Sequence, residues 1–258
     1  MGQINYAIRV KSLTFGYSEK TVLDNLEINI EANKLNFILG RNGSGKSTFL
    51  KIIAGVLPAQ NASIQIFGND FKTTSITERA KLIGYLGQHH KAVFPFGVED
   101  VVLTGRAGYV KLMPGKLDKT IAQEALVKAG ILHLKDKNYM ELSGGEQQLV
   151  MIARVLAQQP KIILLDEPTT HLDFCHLTNL MKLLRNLTKE GITIVAVIHD
   201  PNLALLMGDE FLYMNNKKLF KTEKSENIWE TGVLESIYSD NLERVPYKDK
   251  MLVMPALN

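Results

Sequence analysis

The sequence is poor in cysteine. Cys175 is its only thiol, which excludes an internal disulfide and a thiolate metal cluster. A reducing compartment suits such a chain, and the thiol reads as a small packing residue. Long blocks of one charge are also missing: 30 Lys and Arg stand against 27 Asp and Glu, a formal net charge of +3. With neither a polybasic arm nor an acidic tail, bulk electrostatic binding of nucleic acid is not expected. No apolar run approaches the roughly 18 residues that cross a bilayer; the strongest are short, at 162–165 and 192–198. If the chain works at a membrane, a partner supplies the spans. The first ten residues lack the charged and then apolar run of a secretory signal, and Tyr6 stands where a myristoylation motif wants Ser or Thr. Nothing here directs the chain out of the cytosol, and neither a repeat nor a low-complexity linker interrupts it.

What is present suits one large globular domain: 258 residues, 45% hydrophobic and 22% charged. In the first 30 residues Ile8 and Val10, then Leu13 and Phe15, then Leu26, Ile28 and Ile30 recur at period two, the mark of an antiparallel β layer. From Leu35 a short apolar strand runs into a glycine-rich turn, after which Phe49, Leu50, Ile52 and Ile53 mark one face of a helix that Gly55 can end. Apolar strands at 162–165 and 193–198 flank a helical stretch around 177–187, the βαβ rhythm of a parallel sheet. Between Gln88 and about Leu142 strand signals fade. Ile121, Ala125, Leu126 and Ala129 recur at helical spacing there, after a Pro114-Gly115 turn. From about Lys217 short mixed signals at 228–229, 234–238 and 251–253 predict an ordered extension.

Three segments carry chemistry. Gly40, Arg41, Asn42, Gly43, Ser44, Gly45, Lys46, Ser47 and Thr48 match the P-loop pattern, in which backbone N–H groups wrap phosphates, Lys46 neutralises the β and γ groups and Ser47 reaches Mg²⁺. A strand precedes it and a helix follows, so a helix N-terminus faces the phosphates. The apolar run at 162–165 ends in Asp166 and Glu167, where an open α/β sheet presents ligands. Asp166 would hold Mg²⁺, directly or through water, leaving Glu167 to accept a proton from, or orient, an attacking water. Leu142, Ser143, Gly144, Gly145, Glu146, Gln147 and Gln148 open a helix with Leu149, Ile152, Ala153 and Leu156 on its apolar face. Its exposed N–H groups make a second anion site; alone, the segment would read as an ordinary serine-capped helix.

In order and approximate spacing, residues 40–48, 142–147, 165–169 and His199 resemble the ABC transporter ATPase family, across nearly the whole chain. The resemblance implies an α/β fold: a P-loop NTPase, RecA-like core at 1–87 and 159–216 with an antiparallel β subdomain, a helical subdomain at 88–158 carrying the signature segment, and a C-terminal extension at 217–258. It implies ATP and Mg²⁺ as cofactors. Tyr17 is expected to stack on adenine, Gln88 to couple the nucleotide site to membrane subunits, Asp173 to be the D-loop aspartate and His199 the γ-phosphate switch. Lys46, Gln88, Glu167 and His199 form the implied catalytic set, and Ser47, Gln88 and Asp166 the metal set. The family also implies a head-to-tail homodimer, in which Ser143, Gly144 and Gly145 of one copy complete the site on the P-loop of the other.

Residues 98–106, 170–173 and 199–204 are similar to the branch serving importers of siderophore-bound iron, haem and cobalamin; oxyanion importers, such as those for molybdate, share the architecture. Three features depart from the pattern: residues 146–148 lack the usual arginine, Pro201 replaces a common leucine, and residues 214–216 lack a glycine. The expected setting is peripheral, on the cytoplasmic face of the plasma membrane, beside multi-spanning permease subunits and, indirectly, an external substrate-binding protein. Phe94, Pro95 and Phe96 suit a docking surface or subdomain packing. His89 and His90 are awkward chelators of one ion, and His133, His171 and His176 have no evident co-ligands. The alternative functions are a soluble ABC ATPase acting on nucleic acid or the ribosome, which would carry two cassettes, a coiled-coil insertion or a basic arm, and a scaffold ATPase for cofactor assembly.

Overall fold

A computed structural model of the chain describes residues 5–58, 62–88, 95–170, 172–222, 232–238, 242–248 and 250–256. The expectations placed on His89, His90, Phe94, His171, Ile228 and Trp229 lie outside them. The alternating N-terminal pattern folds as two twelve-residue strands, β1 (Tyr6–Tyr17) and β2 (Lys20–Glu31), paired antiparallel. The change from even positions (Ile8, Val10) to odd ones (Leu13, Phe15) has a physical cause: the register shifts between Val10 and Leu13, where Ser12 takes φ +56°. The extra residue returns the apolar side chains to the buried face. β4 (Ser63–Ile66) and β5 (Asn69–Asp70) extend this layer in the order β2-β1-β4-β5.

The main sheet runs β10-β9-β3-β8-β7-β6, comprising β3 (Leu35–Gly40), β6 (Ile83–Leu86), β7 (Ile162–Asp166), β8 (Thr193–Val197), β9 (Glu210–Asn215) and β10 (Lys218–Thr222). All neighbours are parallel except the β9–β10 hairpin. Every residue of β3, β7 and β8 is buried, because both faces of the sheet are covered, and such strands read as continuous apolar runs. Ile162, Leu164, Val195 and Val197 join one core with the β layer and helix α1 (Lys46–Ile53). Ile163, Leu165, Ile194 and Ala196 face the other way, into a core shared with the remaining helices. The expected boundary at 217 falls inside the β9–β10 turn, so the sheet continues to Thr222. Asn216 and Lys217 take φ +46° and +64° in that two-residue turn, a conformation that asparagine tolerates and that stands in for the missing glycine.

Helix α2 (Ile76–Leu82) precedes β6. Between β6 and β7 lie α3 (Val98–Leu103), α4 (Lys116–Lys128) and α5 (Gly144–Ala157); after β7 come α6 (Phe174–Lys189), α7 (Pro201–Met207), α8 (Val233–Tyr238) and the hairpin β11 (Leu242–Tyr247) with β12 (Lys250–Pro255). No helix of the described residues is long and apolar enough to cross a membrane. Gly105 and Arg106 close the helical layer. The Arg106 guanidinium is buried, pairs with Asp118 at 3.1 Å, donates to the Ala157 carbonyl at 2.9 Å and stacks 3.8 Å from the Tyr109 ring centroid. A Cβ on Gly105 would sit 2.1 Å from the Arg154 carbonyl oxygen. Gly105→Ala is therefore expected to lower the unfolding free energy by about 2 kcal/mol through overpacking, read as a lower denaturation midpoint at unchanged slope.

Candidate nucleotide site

β3 delivers the phosphate loop. It ends at Gly40, where φ is +149° and a Cβ would meet the Met214 carbonyl oxygen at 2.8 Å. At the start of α1, Gly45 takes φ +110°, and a Cβ there would crowd Leu23 at 2.9 Å. Only glycine fits these two positions without displacing β9 or β2. The Lys46 ammonium is buried and donates to the carbonyls of Gly40 (2.7 Å) and Arg41 (2.9 Å). Burial lowers its pKa, while Glu167 and Asp166 pull it back up. The next residue, Ser47, donates to Asp166 Oδ1 at 2.8 Å and so ties α1 to the end of β7. Asp166 is 1% exposed. Burial raises its pKa and the neighbouring Glu167 adds to this, against the hydrogen bond from Ser47.

Glu167 leaves the strand at φ +55°. That left-handed turn is costly for a side chain of its size and carries its carboxylate out of the sheet's alternation. One carboxylate oxygen accepts from Gln88 Nε2 at 2.6 Å and the other lies 2.7 Å from His199 Nε2. Three parallel strands thus bring Gln88, Glu167 and His199 into contact beyond their carboxyl ends, opposite the P-loop. Tyr17, at the end of β1, is half exposed and has its hydroxyl 3.5 Å from Thr48 Oγ1. A cavity of about 430 Å³ is lined by Tyr17, Val22, Asn42, Gly43, Gly45, Lys46, Ser47, Thr48, Gln88, Glu167 and His199. That size falls in the range of small-ligand sites. Sequence reasoning missed Val22, a strand residue with no chemical signal.

The residues fit a magnesium nucleotide. Ser44 Oγ is buried without a hydrogen-bond partner, an orphan that a phosphate oxygen would satisfy, and Ser47 beside Asp166 offers a hard-oxygen pair for the cation. Among the described residues no group of three or more His, Cys, Asp or Glu could hold a metal by itself; a P-loop cation does not need one, since phosphates and water complete its shell.

Ser143, Gly144, Gly145 and Asp173 do not line this cavity. Ser143 caps α5 in a capping box: its N–H donates to Glu146 Oε2 at 2.9 Å and its oxygen accepts from the Glu146 N–H at 3.3 Å. The Ser143 N–H, together with the Ser143 hydroxyl that donates to the same oxygen at 2.8 Å, holds the Glu146 carboxyl below its usual pKa. Asp173 caps α6 through the His176 N–H (2.8 Å) and also meets His176 Nδ1 at 2.9 Å. A Cβ on Gly145 would lie 3.2 Å from that ring. The signature and D-loop segments therefore adjoin each other through His176, on a second surface. Where the family's arginine is absent, Gln148 donates to the Pro168 carbonyl at 3.2 Å, linking α5 to the segment after Glu167. Pro201, the other departure, occupies the first turn of α7 behind the Asp200 cap, a position suited to its fixed φ.

The sequence profile described as ABC transporter matches residues 23–170, more than half of the chain. The probable iron chelatin transport ATP-binding protein of Helicobacter pylori strain J99 is 34% identical over 250 residues, covering 95% of this chain and 98% of its own. The hemin import ATP-binding protein HmuV of Aliivibrio fischeri is 35% identical over 264 residues, covering 100% of this chain and 97% of its own. A solved structure described as an inward-facing metal-chelate type ABC transporter superposes with a TM-score of 0.83 at 27% identity, covering 97% of this chain and 98% of that one. The chain therefore belongs to the ABC transporter family, as one of its ATP-binding, ATP-hydrolysing subunits.

Proposed function

We propose that this ATPase energises an importer of a metal chelate, with haem, iron-siderophore or cobalamin as the cargo class, by working as a homodimer on the cytoplasmic face of the membrane beneath multi-spanning permease subunits. The observation that carries the reading is the division of the site: the P-loop, Gln88, Glu167 and His199 share one cavity, and Ser143 to Gly145 with Asp173 lie outside it. A second copy docked head to tail brings its α5 N-terminus to this cavity and adds the missing anion-binding groups. The hemin and iron chelatin relatives support the cargo class. Phe96, 55% exposed, supports docking of a permease on this side of the helical layer, with an external binding protein delivering cargo to the far side.

In this scheme the N–H groups of the loop and Lys46 hold the phosphates, Tyr17 stacks on the adenine, and Ser47, Asp166 and Gln88 would hold Mg²⁺. The chemistry Mg²⁺ would supply there is neutralisation of phosphate charge. Glu167 receives a proton from water as the water oxygen bonds to the γ-phosphorus and the bond to the ADP oxygen breaks. His199 contacts the γ-phosphate. Phosphoryl transfer needs positioning more than covalent help, so a site split between two bodies makes hydrolysis conditional on closure.

In phosphate-release assays, Glu167→Gln is expected to bind ATP and turn over at least about tenfold more slowly, a barrier rise of about 1.4 kcal/mol or more; equal turnover removes Glu167 from the proton-accepting role. With MgATP, the same variant is expected to elute as a dimer in size-exclusion chromatography with light scattering. Adding Ser143→Arg should return it to a monomer that still binds nucleotide, and a persisting dimer would refute the signature contact. Pull-down of the tagged chain from detergent-solubilised membranes is expected to retain a multi-spanning protein at equal stoichiometry. Recovery of soluble or nucleic-acid partners alone would overturn the importer role and leave the ATPase intact.

A further inference from the structure

The segment after β10 has no place in the chemistry above, yet it is bonded to the loop that carries His199. Val233, Leu234 and Ile237 bury one face of α8 in the core that underlies the main sheet. At its end, the Tyr238 hydroxyl donates to the His199 main-chain carbonyl at 3.1 Å. Burial, with Asp200 nearby, raises the Tyr238 pKa to about 12, so the phenol keeps its proton and remains a donor at neutral pH. The β11–β12 hairpin grips the helix that follows the histidine. The Asn202 side chain accepts from the Val253 N–H at 2.7 Å and donates to the Val253 carbonyl at 2.9 Å, pairing with β12 much as a neighbouring strand would. Lys250 Nζ donates to the carbonyls of Leu205 (2.9 Å) and Leu206 (3.0 Å) at the other end of α7, where a cation complements the helix dipole.

These contacts matter because of what they leave fixed. α7 has seven residues, too few to hold its own place without tertiary support. His199 lies between the last buried residue of β8's run, Ile198, whose N–H donates to the Ile38 carbonyl at 3.3 Å, and Asp200, which caps α7. The Tyr238 bond lands on the His199 carbonyl, between the end of β8's run and the α7 cap, and so restrains the backbone from which the imidazole projects toward Glu167.

We propose that the C-terminal extension is a brace for the switch loop, and that Tyr238 is a positioning residue that fixes the His199 carbonyl and thereby holds the imidazole at the γ-phosphate position. The proposal rests on the reading of His199 given above. Tyr238 does not line the nucleotide cavity; it acts through His199, on turnover and not on ATP affinity.

The test uses the full chain and MgATP. Tyr238→Phe keeps the ring and removes only the hydroxyl. Losing one hydrogen bond that positions the switch should lower kcat about fivefold and leave KM and ATP affinity within about twofold. Made in a His199→Ala background, the same change should add nothing further, as expected of two residues on one route. Thermal unfolding checks the fold, and if Tyr238→Phe does not fold, Asn202→Ala, which frees α7 from β12, is expected to give the same kcat loss with the same dependence on His199. Wild-type turnover in the variant that folds, a loss carried by KM, or a loss that adds in full to His199→Ala overturns the brace. Unaltered turnover in His199→Ala overturns instead the reading of His199 on which the brace rests.

Discussion

The parallel hydrogen-bond ladder that sets β6, β7 and β8 side by side fixes where the chemistry sits. Leu86 pairs with Leu165, and Asp166 pairs with Val197, so the three strands end at one level and release Gln88, Glu167 and His199 toward a common point. A slip of one residue in β7 would turn Asp166 to the opposite face and break its bond to Ser47. The burial of both sheet faces protects this register: alternate residues of β7 are committed to two different cores, and a slipped strand would have to exchange both at once.

The site stores cost that the scaffold offsets. Lys46 and Asp166 are both buried, and a buried charge without partners would be prohibitive. Lys46 rests on two carbonyls of its own loop, Asp166 on the Ser47 hydroxyl, and each lies in the field of the other. Glu167 adds a left-handed backbone, held by its N–H bond to the Val197 carbonyl and by its carbonyl's bond from Thr170. The result is a pocket whose polar groups are held in place by the scaffold, the kind of fixed arrangement from which electrostatic catalysis gains most.

Much of this was legible in the sequence because it is local. Residues 40–48 and 162–167 carry pattern, order and spacing in one stretch each, and the strands and helices around them follow from period. The β4–β5 pair, α2 and β6 were not legible: they are short, and none has a repeated apolar face long enough to stand out. Ser12 hides a bulge that only the change from even to odd positions betrays. Gly105 and Arg106 read as a marker of kinship, and the structure gives them packing work against Arg154 and Asp118. The bonds from Tyr238 and Asn202 span 39 and 51 residues; no window along the chain brings such partners together. Asp173 and His176 are near neighbours, yet their meeting with Gly145 depends on the packing of α5 against α6.

In the proposed head-to-tail arrangement, a cavity that lacks Ser143 to Gly145 makes one chain half of an enzyme. Specific activity in dilute solution then depends on how often two copies meet, and rises with protein concentration. Two cassettes tethered to one pair of membrane subunits escape that dependence, because tethering sets their effective concentration in the millimolar range expected of short connections. The pore-forming partner thereby acts on the kinetics of the ATPase even before any cargo arrives.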